Sequence, residues 1–68
     1  MTTGKILQVN DARSFWLLTV DTPERIFDQV IEPRFMEDIV AAEGLESPYD
    51  FKGRDIEISD DGLSVEFP

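Results

Sequence analysis

The sequence predicts a small, β-rich α+β domain in which five antiparallel strands form a partly open barrel with one helix. Three observations lead to this prediction. Segments 55–58 and 63–67 alternate acidic or polar with apolar residues on either side of a Gly-containing turn, as β-hairpins do. Segment 14–20 is uncharged and rich in aromatic and β-branched residues. Segment 33–43 has the apolar spacing of a helix.

The N-terminal half is predicted to supply the first three strands. Residues 4–9 form a short strand that ends at Asn10 and Asp11, whose side chains favour turns because they hydrogen-bond nearby backbone. Residues 14–20 carry apolar groups on both faces. This indicates either a strand covered on both sides or a strand with one exposed recognition face. Residues 26–31 are predicted to form the third strand.

Residues 23–31 admit a second interpretation. Their apolar residues are also spaced as in a helix that begins at Pro23: Ile26, Phe27, Val30 and Ile31. The short length before Pro33 and the β-branched content favour the strand. The helical alternative would give a four-stranded antiparallel sheet with two helices, in the order β-β-α-α-β-β.

Residues 33–43 form the predicted helix. Pro33 suits its first position, and Gly44 supplies the left-handed conformation that commonly ends a helix. The apolar spacing predicts a buried stripe made of Phe35, Met36, Ile39 and Val40.

The C-terminal segment forms the clearest predicted hairpin. Its apolar residues are predicted to face the core: Ile56, Ile58, Leu63, Val65 and Phe67. Residues 59–62 are interpreted as a turn, because this segment is too short for a calcium-binding loop. Tyr49 and Phe51 are predicted to close one end of the barrel, and Arg54 to pair with a neighbouring acidic side chain.

The predicted element order, β-β-β-α-β-β, is that of the OB-fold, a five-stranded and partly open barrel. The likeness lies in the order of elements alone, and no sequence motif accompanies it. A likeness at this level gives no function.

Composition limits the chemistry open to the chain. Its 68 residues include no Cys and no His, which excludes disulfides, zinc fingers and histidine-based catalysis. We therefore predict one domain, residues 1–68, that is not an enzyme and holds no cofactor or metal. No apolar run reaches the roughly 18 residues of a membrane span, and the N-terminus lacks the apolar stretch of a secretory signal. We expect no membrane partner and a cytoplasmic location.

The charge is unevenly distributed and suggests what the chain binds. The net charge is -9, and residues 35–68 hold ten acidic side chains but only two basic ones. Our first hypothesis is a non-catalytic interaction module that binds a protein partner, acting alone or as a homodimer, with the acidic half steering it toward a basic surface.

The second hypothesis is an OB-like module that binds single-stranded nucleic acid through its basic N-terminal hairpins. OB-folds bind such strands with stacking aromatic side chains in a basic groove. The aromatic candidates are Phe15 and Trp16, only one of which can lie on a given face of a strand. The candidate phosphate contacts are Lys5, Arg13, Arg25 and Arg34. The net negative charge disfavours this hypothesis.

Overall fold

The computed structural model describes residues 1–68 as a sheet-rich α+β structure with five antiparallel strands and one α-helix. Its elements in chain order are β1 (Thr2–Asp11), β2 (Trp16–Asp21), β3 (Ile26–Ile31), α1 (Pro33–Ala42), a 3₁₀ turn (Pro48–Phe51), β4 (Asp55–Ile58) and β5 (Val65–Glu66). The predicted strand at 26–31 is confirmed, and the helical alternative for residues 23–31 is wrong.

The five strands form one sheet in the spatial order β3-β2-β1-β4-β5. β1 lies at its centre, where it pairs with β2 along most of its length and with β4 near its start. A bulge between Ile6 and Gln8 interrupts the pairing with β2, and such bulges bend the strand that carries them. β3 and β5 are the two edges of the sheet, which does not close.

The core lies on the inner face of the sheet. It comprises ten buried apolar residues: Ile6, Val9, Leu18, Val20, Ile31, Met36, Ile39, Phe51, Ile56 and Ile58. Strand alternation explains the contribution of β4, since Ile56 and Ile58 point inward while Asp55 is exposed. The ring of Phe51 is fully buried and lies 4.6 Å from that of Phe67, measured between centroids.

The helix is confirmed with one correction. Gly44 adopts a φ of 69° just beyond its end, as the predicted left-handed stop requires. Met36 and Ile39 are buried and Val40 packs against the core, but Phe35 is 39 % exposed. Phe35 lies near the start of α1 at the open side of the sheet, where no strand covers it.

The last strand is shorter than predicted. Only Val65–Glu66 pairs with β4, and Leu63, predicted to face the core, is 84 % exposed. The physical reason is the hydrogen bonding of the turn. The Asp61 carboxylate accepts hydrogen bonds from the backbone N–H of Leu63 and from the hydroxyl of Ser59, which holds Leu63 in the turn and outside the ladder.

The structure of the segment between α1 and β4 agrees in part with the prediction from the sequence. Phe51 is buried as predicted, whereas Tyr49 is exposed and packs edge-to-face with Trp16, with ring centroids 5.4 Å apart. Arg54 pairs with Glu43 at 2.9 Å, which confirms the predicted ion pair. Partly exposed pairs of this kind contribute about 0–1 kcal/mol. No helix has the length and apolar character needed to cross a membrane.

Candidate functional site

The open side of the sheet forms a gap between β3 and the β4–β5 hairpin. The gap holds two cavities, of about 740 Å³ and about 360 Å³. The side-chain amide of Gln29 donates a hydrogen bond of 3.1 Å to the carbonyl oxygen of Gly62. Both residues line both cavities, so this hydrogen bond divides the gap into its two parts.

One wall of the gap is the free edge of β3. The backbone N–H of Thr22 donates to the carbonyl of Arg25 at 3.0 Å and closes the β2–β3 hairpin. Antiparallel ladders alternate hydrogen-bonded and non-hydrogen-bonded pairs, so the bonded residues of β3 recur at every second position from Phe27. The other β3 residues point their backbone N–H and C=O groups away from β2: Ile26, Asp28 and Val30.

Apolar side chains surround the larger cavity and face solvent. Phe35 and Leu63 are exposed at this cavity, and Val30, which is 54 % exposed on the outer face of β3, lies at its rim. These three residues come from a strand, a helix and a turn, so the fold alone brings them together. Clustered exposed apolar side chains are typical of interaction sites, whereas single ones are common on any surface.

The charges at the gap are mainly negative. Glu32 is the only charged residue that lines the larger cavity. The smaller cavity contains Glu24, Asp60 and Asp61 against a single cation, Arg25. The hydrogen bond from the Ser59 hydroxyl, and to a smaller extent that from the Leu63 amide, lowers the pKa of Asp61 below its ordinary value because both stabilise the carboxylate. The gap therefore favours a basic ligand.

The predicted basic residues lie at two ends of the sheet. Arg13 occupies the β1–β2 loop with a φ of 74°, and Arg34 lies at the start of α1 near the same end. Lys5 and Arg25 lie at the other end of β2, roughly 17 Å away along a six-residue strand. The fold therefore does not bring these four residues into one patch.

Three of these four basic residues also lie beside acidic or aromatic side chains. Lys5 is paired across the sheet with Asp21 on one side and with Asp55 on the other. The guanidinium of Arg25 lies 4.8 Å from the centroid of the Phe27 ring. The backbone N–H of Arg13 donates to the Asp11 carboxylate at 2.8 Å.

The predicted aromatic residues are both half-buried. Trp16 lies on the inner face of β2 beside the core and contacts Tyr49, and Phe15 precedes β2 in the loop. A short oligonucleotide is expected to leave the fluorescence of Trp16 unchanged at low salt, because only Arg13 and Arg34 lie at its end of the sheet and the chain carries a net charge of -9. Titration with a single-stranded oligonucleotide measures this, and quenching that disappears with added salt would instead support the nucleic-acid hypothesis.

The apolar pattern of the sequence does not reveal the gap. It places Val30 in a strand and Phe35 and Leu63 in the core, and it marks none of the three as a binding residue. The one available signal is Asp61 two residues before Leu63, since Asp in a turn captures nearby backbone N–H groups. No three or more acidic side chains lie close enough together to hold a metal ion.

Comparisons with protein-family models, with curated proteins and with solved structures found no match to this chain.

Proposed function

We propose that this protein is a non-catalytic interaction module that binds a protein partner at the gap between β3 and the β4–β5 hairpin. The observation that supports this proposal is the pair of exposed apolar side chains, Phe35 and Leu63, at a cavity of about 740 Å³ whose rim also carries the exposed Val30. Ligand pockets commonly measure about 300–1,000 Å³. The cavity is therefore large enough to receive several side chains of a partner.

The element order supports the same location. We interpret the open sheet as a partly open, OB-like barrel whose two edge strands, β3 and β5, flank the gap. A free strand edge and an exposed apolar cluster are each tendencies toward association. Here both occur on one side of the molecule. This side is therefore a better candidate for the binding site than β1 and β2, which are paired with other strands on both edges.

The proposed partner is a different protein, not a second copy of the chain. A homodimer would unite two chains that each carry a net charge of -9, and it would bring the acidic gaps of both copies together. Like charges repel at such short distances. A basic partner is instead attracted to the acidic gap.

Replacing Leu63 by lysine tests the site. The substitution removes an 84 % exposed apolar side chain and adds a positive charge, so it should abolish partner binding with little effect on folding. Leu7→Lys is the matched control, because Leu7 is an exposed leucine of β1 that lines neither cavity. Quantitative capture from native lysate compares the three baits.

The expected result is a protein enriched on the unaltered bait and on Leu7→Lys but lost on Leu63→Lys. If every captured protein were retained on Leu63→Lys, the gap would not be the binding site. Sedimentation velocity over roughly a hundredfold range of concentration tests whether the chain associates with a second copy of itself. We expect one unchanging monomer, and a concentration-dependent species that Leu63→Lys removes would identify the partner as the chain itself.

A further inference from the structure

We propose that the gap binds an extended segment of alternating basic and apolar residues, which pairs as a sixth strand with the free edge of β3. This inference rests on the proposed function and names the chemistry of the partner. Extended peptides commonly bind proteins by adding a strand to an exposed sheet edge, where backbone hydrogen bonds supply affinity and side-chain pockets supply specificity.

The backbone of β3 provides the first argument. The amides of Ile26, Asp28 and Val30 point away from β2 and donate none of the backbone hydrogen bonds found outside the ladders. The carbonyl of Val30 accepts only a 3.3 Å hydrogen bond from the side chain of Gln29. An added strand would give these groups partners that the chain itself does not supply, and it would replace the hydrogen bonds that the Gln29 side chain makes to the carbonyl oxygens of Val30 and Gly62.

The alternation of β3 determines which residues the segment needs. In an antiparallel pair, residues that hydrogen-bond across the ladder have side chains on the same face. Segment residues bonded to Asp28 and Val30 therefore lie on the outer face, where both of those side chains are exposed. The intervening residues point to the inner face, where Ile31, Phe35 and Leu63 line the larger cavity. Apolar residues fit the inner positions.

The charge on and beside β3 determines which segment residues fit the outer positions. The Thr19 hydroxyl donates to Oδ1 of Asp28 at 2.8 Å on the exposed outer face of β3, and Oδ2 accepts no hydrogen bond from the chain. Glu32 extends the negative charge beyond the end of β3 along the larger cavity. Opposite charges paired across adjacent strands stabilise a sheet, and like charges destabilise it. Lysine or arginine therefore fits the outer position opposite Asp28, and at the next outer position its aliphatic stem can cover the exposed Val30. An acidic segment does not fit.

The probe is the peptide acetyl-Lys-Val-Lys-Val-Lys-Val-Lys-amide with a fluorescent label, and its binding is followed by anisotropy. Two N-methylated versions separate strand pairing from charge attraction. Methylation of the lysine amides removes the donors that face β3, and methylation of the valine amides removes only those on the opposite edge. A block peptide of the same composition, with all lysines before all valines, controls for net charge.

We expect the unmodified and valine-methylated peptides to bind alike, and the lysine-methylated peptide to bind about tenfold or more weakly. The block peptide should bind as weakly as the lysine-methylated one. In amide-exchange measurements, the unmodified peptide should slow the exchange of the Asp28 and Val30 amides. Equal binding of both methylated peptides, or unchanged exchange at these two amides, would overturn strand addition.

Failure of this inference can be distinguished from failure of the proposed function. If the peptide binds regardless of methylation but Leu63→Lys weakens it, side chains alone hold it, so strand addition is wrong and the gap remains a binding site. If no peptide binds but capture still depends on Leu63, the chemistry proposed for the partner is wrong. If neither peptide binding nor capture depends on Leu63, both proposals are wrong.

Discussion

Replacing Phe51 by alanine is expected to cause a large loss of stability. Phe51 is fully buried, its ring lies against that of Phe67, and the guanidinium carbon of Arg54 is 5.9 Å from the centroid of the Phe51 ring. Removing a buried phenylalanine ring costs about 3–5 kcal/mol. A chain of this length is expected to be stable by roughly 3–10 kcal/mol in total. The substitution therefore removes a large share of the free energy of unfolding.

Urea denaturation followed by circular dichroism measures this loss. Phe35→Ala is the matched control, because it makes the same chemical change at a side chain that is 39 % exposed. We expect the control to lower the free energy of unfolding by about 1 kcal/mol, since the lost side chain is only partly withdrawn from water. Equal losses at the two positions would show that Phe51 does not hold the core together.

The successes of the sequence analysis come from local patterns. Ile56 and Ile58 alternate with acidic residues, and a period of two is a property of any half-buried strand that needs no knowledge of its neighbours. The left-handed conformation of Gly44 is local in the same way. Accordingly, β4 and α1 have nearly the limits that the sequence predicts.

Two outcomes are not determined by the sequence pattern: the choice of strand over helix at residues 26–31, where the predicted strand is confirmed, and the exposure of Leu63, where the prediction is wrong. The pattern of residues 26–31 fits a strand or a helix, and the observed strand depends on pairing with β2 residue by residue from Trp16 to Asp21. Leu63 follows the alternation of a core residue, but the hydrogen bonds to Asp61 hold it outside the ladder. Neither outcome follows from apolar periodicity.

The candidate site could not be predicted for a related reason. A strand edge is free only when the order of all strands is known, and that order depends on β1 pairing with both β2 and β4. The gap in turn depends on the edges of β3 and β5 lying at the same side of the molecule. Phe15, Trp16 and the basic side chains are conspicuous in the sequence because of their chemistry, whereas Val30 and Leu63 become candidates only through their position.

Replacing Gly4 by alanine is expected to destabilise the fold by about 1–3 kcal/mol, the usual cost of overpacking a well-packed site. Gly4 lies in β1, opposite Ile56 of β4. A Cβ at this position would lie 2.6 Å from Cγ1 of Val20 and 2.7 Å from the carbonyl oxygen of Asp21. A loss of stability would identify a close contact at Gly4, because alanine in place of an unstrained strand glycine usually stabilises the fold by about 0.5–1 kcal/mol.

The two close contacts differ in how readily they can relax, and a second substitution separates them. Val20→Ala removes the methyl group that the Cβ introduced by Gly4→Ala would strike. The carbonyl of Asp21 belongs to the ladder in which Asp21 is paired with Lys5, and it cannot move without disturbing that ladder. In a double-mutant cycle of urea unfolding, we therefore expect Gly4→Ala to cost less in the Val20→Ala background but to remain destabilising.

Thr3→Ala, at the exposed neighbouring position, should change stability by less than about 0.5 kcal/mol. If Gly4→Ala were neutral or stabilising in the unaltered chain, β1 and β2 would not approach as closely at this point as the fold requires.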